Sequence, residues 1–250
     1  MTSSERPVEA QHTPEAIRAR LDAGPRPNYL RDLVYGAVDG TVTTFAVVAG
    51  VAGAALDTTV VVILGVANLV ADGFSMAVSN YLGIRSEIQR RAQVRREEER
   101  HVAMVPEGER EEVRQLLEPW GLDDELLEEV VEAITRKEDR WVDLMVQWEH
   151  GFPPQMPDPL RSAAATFVAF AVVGFIPLAP FVADQTPWLD VASPFAWSAV
   201  ATAATFVLVG IARGAVVGRT RWRTALETFA IGGAAAALAY GAGVWLATLL

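Results

Sequence analysis

The sequence of 250 residues predicts an all-α polytopic membrane protein, with five transmembrane helices and a cytoplasmic insert of three to four helices after the second one. Five stretches stay apolar for the roughly 20 residues that a helix needs to cross a bilayer core. The segment between the second and third stretches is rich in charged residues instead. Because there is no cysteine and 51% of residues are hydrophobic, a disulfide scaffold, a zinc–thiolate module and a disordered protein are excluded.

The charge balance is acidic. Asp and Glu number 31 and Lys and Arg number 21, which gives a formal net charge of -10. A nucleic-acid partner is excluded, because a protein that binds phosphates needs a basic field. An acidic surface attracts cations instead.

The five apolar stretches differ in their acidic residues. They span 33–56, 58–84, 162–183, 191–212 and 228–250. The first contains one acid, Asp39, and the second contains one, Asp72, whereas the last three contain none. Soluble helices of this length would show a polar face at helical period, so each stretch predicts a transmembrane helix and the lipid bilayer is a partner.

Arginine and lysine positions predict the orientation. The loops 57–59 and 184–190 contain neither residue, whereas 85–161 contains twelve and the loop after the fourth membrane helix contains three. Basic loops stay in the cytoplasm. We therefore expect a flexible cytoplasmic tail at 1–27, membrane helices at 28–84, a cytoplasmic helical metal-binding domain at 85–159 and membrane helices at 160–250.

Helix signals divide the insert. The second membrane helix meets no breaker before Met104, Pro106 begins the next helix, and Asp123 can cap a third. A fourth helix ends before Gly151. Its apolar residues are Trp141, Leu144, Met145 and Trp148, and the expected buried face of the third helix is Leu126, Leu127, Val130, Val131 and Ile134.

Acidic residues of the insert form pairs at helical spacing. Of twenty Asp and Glu between Arg85 and Arg161, several stand three or four residues from another donor group and share a helix face with it. The pairs are Glu98 with His101, Glu109 with Glu112, and Met145 with Glu149. Carboxylates with an imidazole and a thioether suit Fe2+ or Mn2+ better than Ca2+, whose ligands are oxygens.

Other interpretations of the insert stay open. Acidic helices interleaved with arginine are commonly solvated faces with weak ion pairs. Met145 continues an apolar stripe, so it could pack in a core, and a single His101 could be a surface residue. Glu98-x-x-His101 also matches half of a di-iron bundle motif, but a second such pair is missing among three histidines.

The membrane acids indicate a path for ions. An ionisable side chain in hydrocarbon costs several kcal/mol and persists mainly where it lines a path or has a partner. Asp39, Asp72 and Met76 could form one hydrophilic ladder. The alternatives are an interfacial cap of the first membrane helix for Asp39 and a polar contact between helices for Asp72.

Three motifs carry a family resemblance. They are Val34-Tyr35-Gly36-Ala37-Val38-Asp39-Gly40, Ser75-Met76-Ala77 and Gly174-Phe175-Ile176-Pro177-Leu178-Ala179-Pro180. Together with five helices and an insert after the second, they resemble the vacuolar iron transporter family of ferrous ion and proton antiporters. The resemblance implies a homodimer whose path lies between the subunits and is lined by Asp39 and Met76.

The same resemblance implies that the insert collects metal ions. It assigns ligand roles to Glu98, Glu109, Glu112, Met145 and Glu149. Three positions depart from the family pattern, because His101, Val146 and Asn80 stand where glutamate is usual. An added imidazole and fewer carboxylates leave Mn2+, Co2+, Ni2+ or Zn2+ open as cargo besides Fe2+, and no tightly bound cofactor is expected.

The sequence thus predicts a transporter that exports a divalent transition ion, most favourably Fe2+, from the cytoplasm in exchange for protons. A membrane-anchored metal-sensing or storage protein is the alternative. An intramembrane enzyme is not expected, because none of the five stretches contains a histidine base. With no organelle address, a prokaryotic plasma membrane is the expected location.

Overall fold

A computed structural model describes residues 8–23, 28–187 and 191–249. Parts of two expectations, the tail at 1–7 and 24–27 and the loop at 188–190, lie outside these residues, as does Leu250. The chain divides into two compact units. The membrane unit comprises Asn28–Gly83 and Pro157–Leu250, and the lobe comprises Ile84–Met156, grouped with the tail up to Pro27.

The described part of the tail is helical. Two short helices, α1 (Val8–Gln11) and α2 (Pro14–Ala23), occur where the sequence suggested an irregular segment. The backbone N–H of Ala16 donates to Thr13 Oγ1 at 3.2 Å, and Pro14 occupies the first turn, where its missing N–H has no cost. Thr13 and Pro14 are helix-start signals in the sequence, but the four prolines of the tail favour an irregular segment.

Two long helices begin the membrane unit. They are α3 (Leu30–Gly53) and α4 (Thr58–Met104). The first 26 residues of α4 belong to the membrane unit and the rest to the lobe, so the helix continues without a break as predicted. Asp57 Oδ1 accepts a hydrogen bond from the Thr59 N–H at 2.7 Å and caps the start of α4.

Three helices build most of the lobe after α4. They are α5 (Pro106–Leu117), α6 (Asp124–Thr135) and α7 (Glu138–Trp148). Pro106 stands in the first turn of α5, and Asp123 Oδ1 accepts from the Leu126 N–H at 2.9 Å. Both starts were predicted. Gly121 and Gly151 have positive φ values of 73° and 71° where the chain leaves helix, a conformation that favours glycine.

The lobe core differs from the faces that the sequence predicts for α6 and α7. On α6 the buried residues are Leu127, Val131 and Thr135, while Leu126 is 43% exposed. On α7 they are Trp141, Val142, Met145 and Val146, whereas Trp148 lies at the surface and stacks on Trp120 with centroids 5.1 Å apart. The buried face of α6 is thus narrower than predicted, with Val130 and Ile134 only partly buried against the core, whereas that of α7 includes Val142 and Val146 in place of Trp148.

The third membrane stretch is interrupted: α8 (Pro159–Gly174) is followed by a 3₁₀ turn at Ile176–Leu178 and then α9 (Ala179–Asp184). Pro177 and Pro180 cause the break, since proline cannot donate the helical hydrogen bond. The Ser198 hydroxyl donates to the Pro177 carbonyl at 2.6 Å, which satisfies that group without water.

The last two membrane helices are α10 (Pro194–Val217) and α11 (Arg221–Ala247). With α3, α4 and the α8–α9 segment they give five helices, in the described part of the chain, that are long and apolar enough to cross a bilayer. The predicted all-α membrane fold is confirmed.

Close helix packing in the membrane unit uses small residues within one chain. A Cβ on Gly40 of α3 would collide with the backbone of Phe170 on α8, and a Cβ on Gly210 of α10 would collide with that of Ala225 on α11. Glycine lets these helix backbones approach closely where no hydrophobic force drives helices together. The glycines spaced four apart in α3 and α10 are thus used inside the subunit.

Candidate functional site

Two buried carboxylates lie at the centre of the lobe. Glu98 on α4 and Glu109 on α5 are each only 3% exposed. Glu98 stands four residues from both Val94 and Val102, and Glu109 four residues before Val113, and these three valines belong to the lobe core. Residues four apart share a helix face. The faces of α4 and α5 that pack in the lobe core therefore also bury the two carboxylates.

Histidines approach these carboxylates from two sides. His101 Nδ1 lies 3.8 Å from Glu98 Oε1 and 3.5 Å from Glu109 Oε1. His150 Nε2 lies 2.9 Å from Glu98 Oε1 and 3.6 Å from Glu149 Oε2. Two groups of potential metal ligands result, Glu98–His101–Glu109 and Glu98–Glu149–His150, and within each the ligand atoms lie within 4.8 Å of one another.

The second oxygens of both buried carboxylates lack partners. Glu98 Oε2 and Glu109 Oε2 are buried and accept no hydrogen bond within the described part of the chain. A buried carboxylate oxygen without a partner is costly, and a proton or a cation removes that cost. The lobe centre is therefore suited to bind a cation.

The electrostatics of the lobe centre favour added positive charge. Burial, followed by repulsion from Glu112, Glu98 and Glu149, raises the pKa of Glu109 to about 7. Burial also raises the pKa of Glu149, although His150 opposes this effect. A carboxyl group keeps its proton near neutral pH where other negative charges are close and water is scarce. The same surroundings favour a bound cation.

The remaining predicted ligands occupy different surroundings. Glu112 is exposed, yet its charge acts on both Glu109 and Glu149. Met145 is fully buried and packs in the lobe core with Val142 and Val146. Its surroundings fit the packing alternative as well as a ligand role.

His150 is a candidate ligand that the sequence analysis missed. Helical spacing could not identify it, because α7 ends at Trp148 and His150 follows in the turn before Gly151. The signal was its position directly after Glu149 at a helix end that glycine terminates. At such an end the chain can turn a side chain back toward the preceding helices.

Ion pairs at the lobe surface join its helices. Arg95 of α4 pairs with Asp143 of α7 and, at 3.0 Å, with Glu99 of its own helix. Arg114 of α5 pairs with Glu128 of α6. These arginines hold α4 to α7 and α5 to α6 at the surface.

A polar seam runs between α3 and α4 in the membrane unit. Asn80 Nδ2 donates to Asp32 Oδ1 at 3.2 Å and to Thr166 Oγ1 at 2.9 Å, and Asn68 Nδ2 donates to Thr43 Oγ1 at 3.5 Å. Along the two helices, Asp39 and Asp72 stand between these pairs. Residue numbers rise along α3 as they fall along α4, which is the order expected of antiparallel neighbours.

The seam joins the predicted membrane residues with others. Asp72, Met76 and Asn80 share one face of α4 at intervals of four residues. Met76 is half-buried beside the apolar core of the membrane unit. Asp32, Thr43 and Asn68 were missed, although Asp32 stands seven residues before Asp39 and Asn68 four before Asp72, spacings that place each pair on a common helix face.

The seam limits the alternatives for both aspartates. Asp39 does not cap its helix, because α3 begins nine residues earlier at Leu30. Asp72 is exposed on the single chain. When both aspartates are ionised their interaction is repulsive, so it does not stabilise the helix pair, whereas a cation between them would.

The raised pKa of Glu109 predicts that the metal-free lobe loses stability as pH rises. The ordinary pKa is 4.5 and the folded value about 7, so the folded state binds the proton more tightly between these values. The free energy of unfolding should fall by up to about 3 kcal/mol from pH 4.5 to 7 and then level off. The measurement is the melting temperature by tryptophan fluorescence, in detergent with chelator.

Glu109→Gln is the matched control, because glutamine keeps the shape of the side chain without the titration. It should remove most of the pH dependence, and saturating Co2+ should remove it in the parent protein. The same decline with pH in parent and variant would contradict this assignment.

Comparison with known proteins supplies the family. A model of the VIT family matches residues 30–244. Vacuolar iron transporter 1 of Arabidopsis thaliana is 32% identical over 214 residues, which cover 84% of this chain and 83% of that protein. Vacuolar iron transporter 1 of Eucalyptus grandis is 30% identical over 215 residues, covering 85% and 84%.

A vacuolar iron transporter of Toxoplasma gondii is 29% identical over 222 residues, covering 86% of this chain and 74% of that protein. These relatives give no support to the expected prokaryotic plasma membrane, since their names are vacuolar. The match of the family model over most of the chain leads to one conclusion: this protein belongs to the VIT family.

Proposed function

We propose that this protein transports a divalent transition-metal ion across a membrane, with Fe2+ as the favoured cargo, in exchange for protons. The names of its relatives support iron as the cargo. In this proposal the lobe collects the ion and the polar seam carries it through the bilayer.

The pair Asp39–Asp72 is the observation that carries the proposal. Two like-charged side chains of the membrane helices α3 and α4 stand between the Asn80–Asp32 and Asn68–Thr43 hydrogen bonds, where each isolated charge costs several kcal/mol. A divalent ion or protons would each relieve the repulsion. Because a carboxylate in a low-dielectric path holds one or the other but hardly both, exchange of metal for protons follows.

The lobe fits the role of a collector. Glu98 and Glu109 hold buried oxygens without partners, and the neighbouring imidazoles add nitrogen ligands. Carboxylate with imidazole suits Fe2+ and its neighbours in the first transition row. The helix α4 carries Asp72 and Met76 in one unit and Glu98 and His101 in the other, so one element bears both sets of donors.

The distribution of basic residues supports the direction of transport. The lobe segment and the loop between α10 and α11 are rich in arginine. The loops 57–59 and 184–190, which connect the other ends of the membrane helices, contain no arginine. By the positive-inside rule the lobe is cytoplasmic. Collection in the cytoplasm and passage through the seam amount to export.

Transport by purified protein in proteoliposomes tests this function. Asp39→Asn should lower the initial rate of Fe2+ uptake at least ten-fold, because the amide keeps the size of the side chain but cannot carry the charge that holds a cation. The measurement is quenching of an encapsulated metal-sensitive dye under reducing, anaerobic conditions.

Asp57→Asn is the matched control, because Asp57 lies in the loop before α4 and asparagine also caps helices. It should transport at the parent rate. Parent-like uptake by Asp39→Asn would contradict the transport role of the seam. It would favour a membrane-anchored metal-sensing or storage protein, for which the lobe alone suffices.

A homodimer is part of the proposal, and the surface of α4 supports it. One exposed flank of its membrane portion is apolar and carries Ile63, Val66, Val70 and Phe74. The other flank carries Asn68, Asp72, Ser75 and Ser79, of which the last three are exposed. A polar flank facing lipid is unfavourable, whereas a second copy related by two-fold symmetry would cover it.

Cysteine cross-linking tests this interface, since the natural chain has no cysteine. With a short bis-maleimide in membranes, Ser75→Cys or Ser79→Cys should give a covalent dimer on a denaturing gel, because both lie on the polar flank. Val70→Cys on the apolar flank is the control and should stay monomeric. Equal cross-linking from both flanks, or none from the polar flank, would contradict the interface.

A further inference from the structure

An apolar groove opens on the membrane unit between α3, α10 and α11. Its volume is about 370 Å³, and its apolar lining includes Val34 and Val38 of α3, Val216 of α10 and Ile231 of α11. Each of these four side chains keeps part of its surface uncovered. Sites for small molecules have volumes of about 300–1,000 Å³ and are mostly apolar, so the groove has the size and lining to hold an apolar chain.

Two arginines line the same groove, Arg31 of α3 and Arg213 of α10. Arg213 Nη1 lies 3.6 Å from Glu227 Oε2, which is longer than a good hydrogen bond. A guanidinium carries five N–H donors, so this pair leaves donors of Arg213 for a second partner. The fork of an arginine matches the oxygens of a phosphate.

The helix ends place the groove at one edge of the membrane unit. Arg31 is the second residue of α3, and Arg213 stands about one turn before the end of α10. Along α3 the lining extends from Leu30 to Val38, about 12 Å at the helical rise. The groove therefore begins with arginines at the helix ends and continues as an apolar surface toward the interior of the bilayer.

The same edge has the composition of a membrane–water interface. Residues 213–227 contain four arginines and one acid. Tyr35, which is 67% exposed, lines the groove, and the exposed Trp222 has the Arg223 Cζ 5.5 Å from its ring centroid. Tyr and Trp are enriched at the level of lipid headgroups, and basic pockets between membrane helices bind acidic headgroups.

We propose that this groove binds one anionic phospholipid from the leaflet at that edge. Arg31 and Arg213 bind the phosphate of the headgroup, and one acyl chain lies along the apolar residues of the groove. Charge complementarity selects an anionic lipid, because a zwitterionic headgroup carries an ammonium that offsets its phosphate. A lipid held by three helices also stabilises their packing.

The lipid groove and the polar seam lie on different faces of α3. At 3.6 residues per turn, Arg31, Val34 and Val38 lie about a third of a turn away from Asp32 and Asp39. The inference therefore goes beyond the proposed transport function and does not depend on it.

Native mass spectrometry of the full-length protein tests the headgroup contact. The protein in detergent is titrated with phosphatidylglycerol or with phosphatidylcholine of the same acyl chains. The parent should bind phosphatidylglycerol roughly ten-fold more tightly, and the double variant Arg31→Gln with Arg213→Gln should lose this preference. Arg161→Gln is the control, because Arg161 begins α8 outside the groove, and it should keep the preference.

A second pair of variants tests the acyl chain. Val216→Trp should fill the groove and lose the bound phosphatidylglycerol without a change of charge. Val200→Trp is the matched control, since Val200 is also an exposed residue of α10 but lies outside the groove, and it should bind lipid like the parent. A large excess of inorganic phosphate should not displace the lipid, because phosphate alone gains nothing from the apolar lining.

Glu227→Gln separates a direct role of Arg213 from a structural one. The change removes the ion pair but leaves the guanidinium, so the affinity for phosphatidylglycerol should stay equal or rise. Phosphatidylglycerol should also raise the melting temperature of the parent, because a ligand of the folded state stabilises it, whereas the double arginine variant should show no such rise.

Four results would overturn the proposal. They are equal binding of the two lipids by the parent, an unchanged preference in the double arginine variant, displacement by inorganic phosphate, which would indicate an anion site only, and a loss of affinity in Glu227→Gln as large as in Arg213→Gln. If Val216→Trp instead loses a dimer and keeps its lipid, a second copy of the chain covers the groove and the proposal is wrong. None of these results changes the expectation for Fe2+ transport that depends on Asp39.

Discussion

The cost of holding a carboxylate away from water is the constraint on which this molecule depends. Glu98 and Glu109 are buried in the lobe, and Asp39 and Asp72 are two acids that stand between hydrogen-bonded pairs of the apolar helices α3 and α4. Neither arrangement stabilises the fold, because unpaired charge in a poorly solvated place is destabilising. Both become favourable when a cation or a proton is present. The fold therefore keeps four acids in places where their negative charge is compensated only when a cation or a proton binds.

The helix α4 links the two sets of acids in one element. Its buried positions recur every four residues in the membrane unit, and the same spacing brings Glu98 between Val94 and Val102 in the lobe. The helix is apolar in the membrane unit and rich in charged residues in the lobe, so one continuous helix contributes to both. The exposed polar flank of its membrane portion extends the logic to a second subunit, since only protein or water can cover Asp72 without a large penalty.

Much of the fold could be predicted because its signals are local. The length of the apolar stretches predicts the membrane helices, and Pro106 and Asp123 predict helix starts. Pro177 and Pro180 mark the break in the third membrane stretch. Helical spacing singled out Glu98 and Glu109, and the cost of a charge in an apolar stretch singled out both membrane aspartates. Helical spacing could not find His150, which lies beyond a helix end, or the pairing of Asn68 with Thr43, which depends on how two helices pack. The predicted buried face of α6 was too wide and that of α7 was rotated, because the neighbouring helices decide which apolar residues are covered.

The central claim is that these carboxylates exchange protons for a divalent ion, and a coupled-flux measurement tests it most directly. Proteoliposomes with an acidic lumen receive equal Fe2+ concentrations on both sides, and dyes follow luminal metal and pH together. The account predicts that the pH gradient drives Fe2+ into the lumen against its rising concentration while the lumen becomes less acidic. Unchanged luminal Fe2+ under the gradient, or accumulation without any movement of protons, would contradict it.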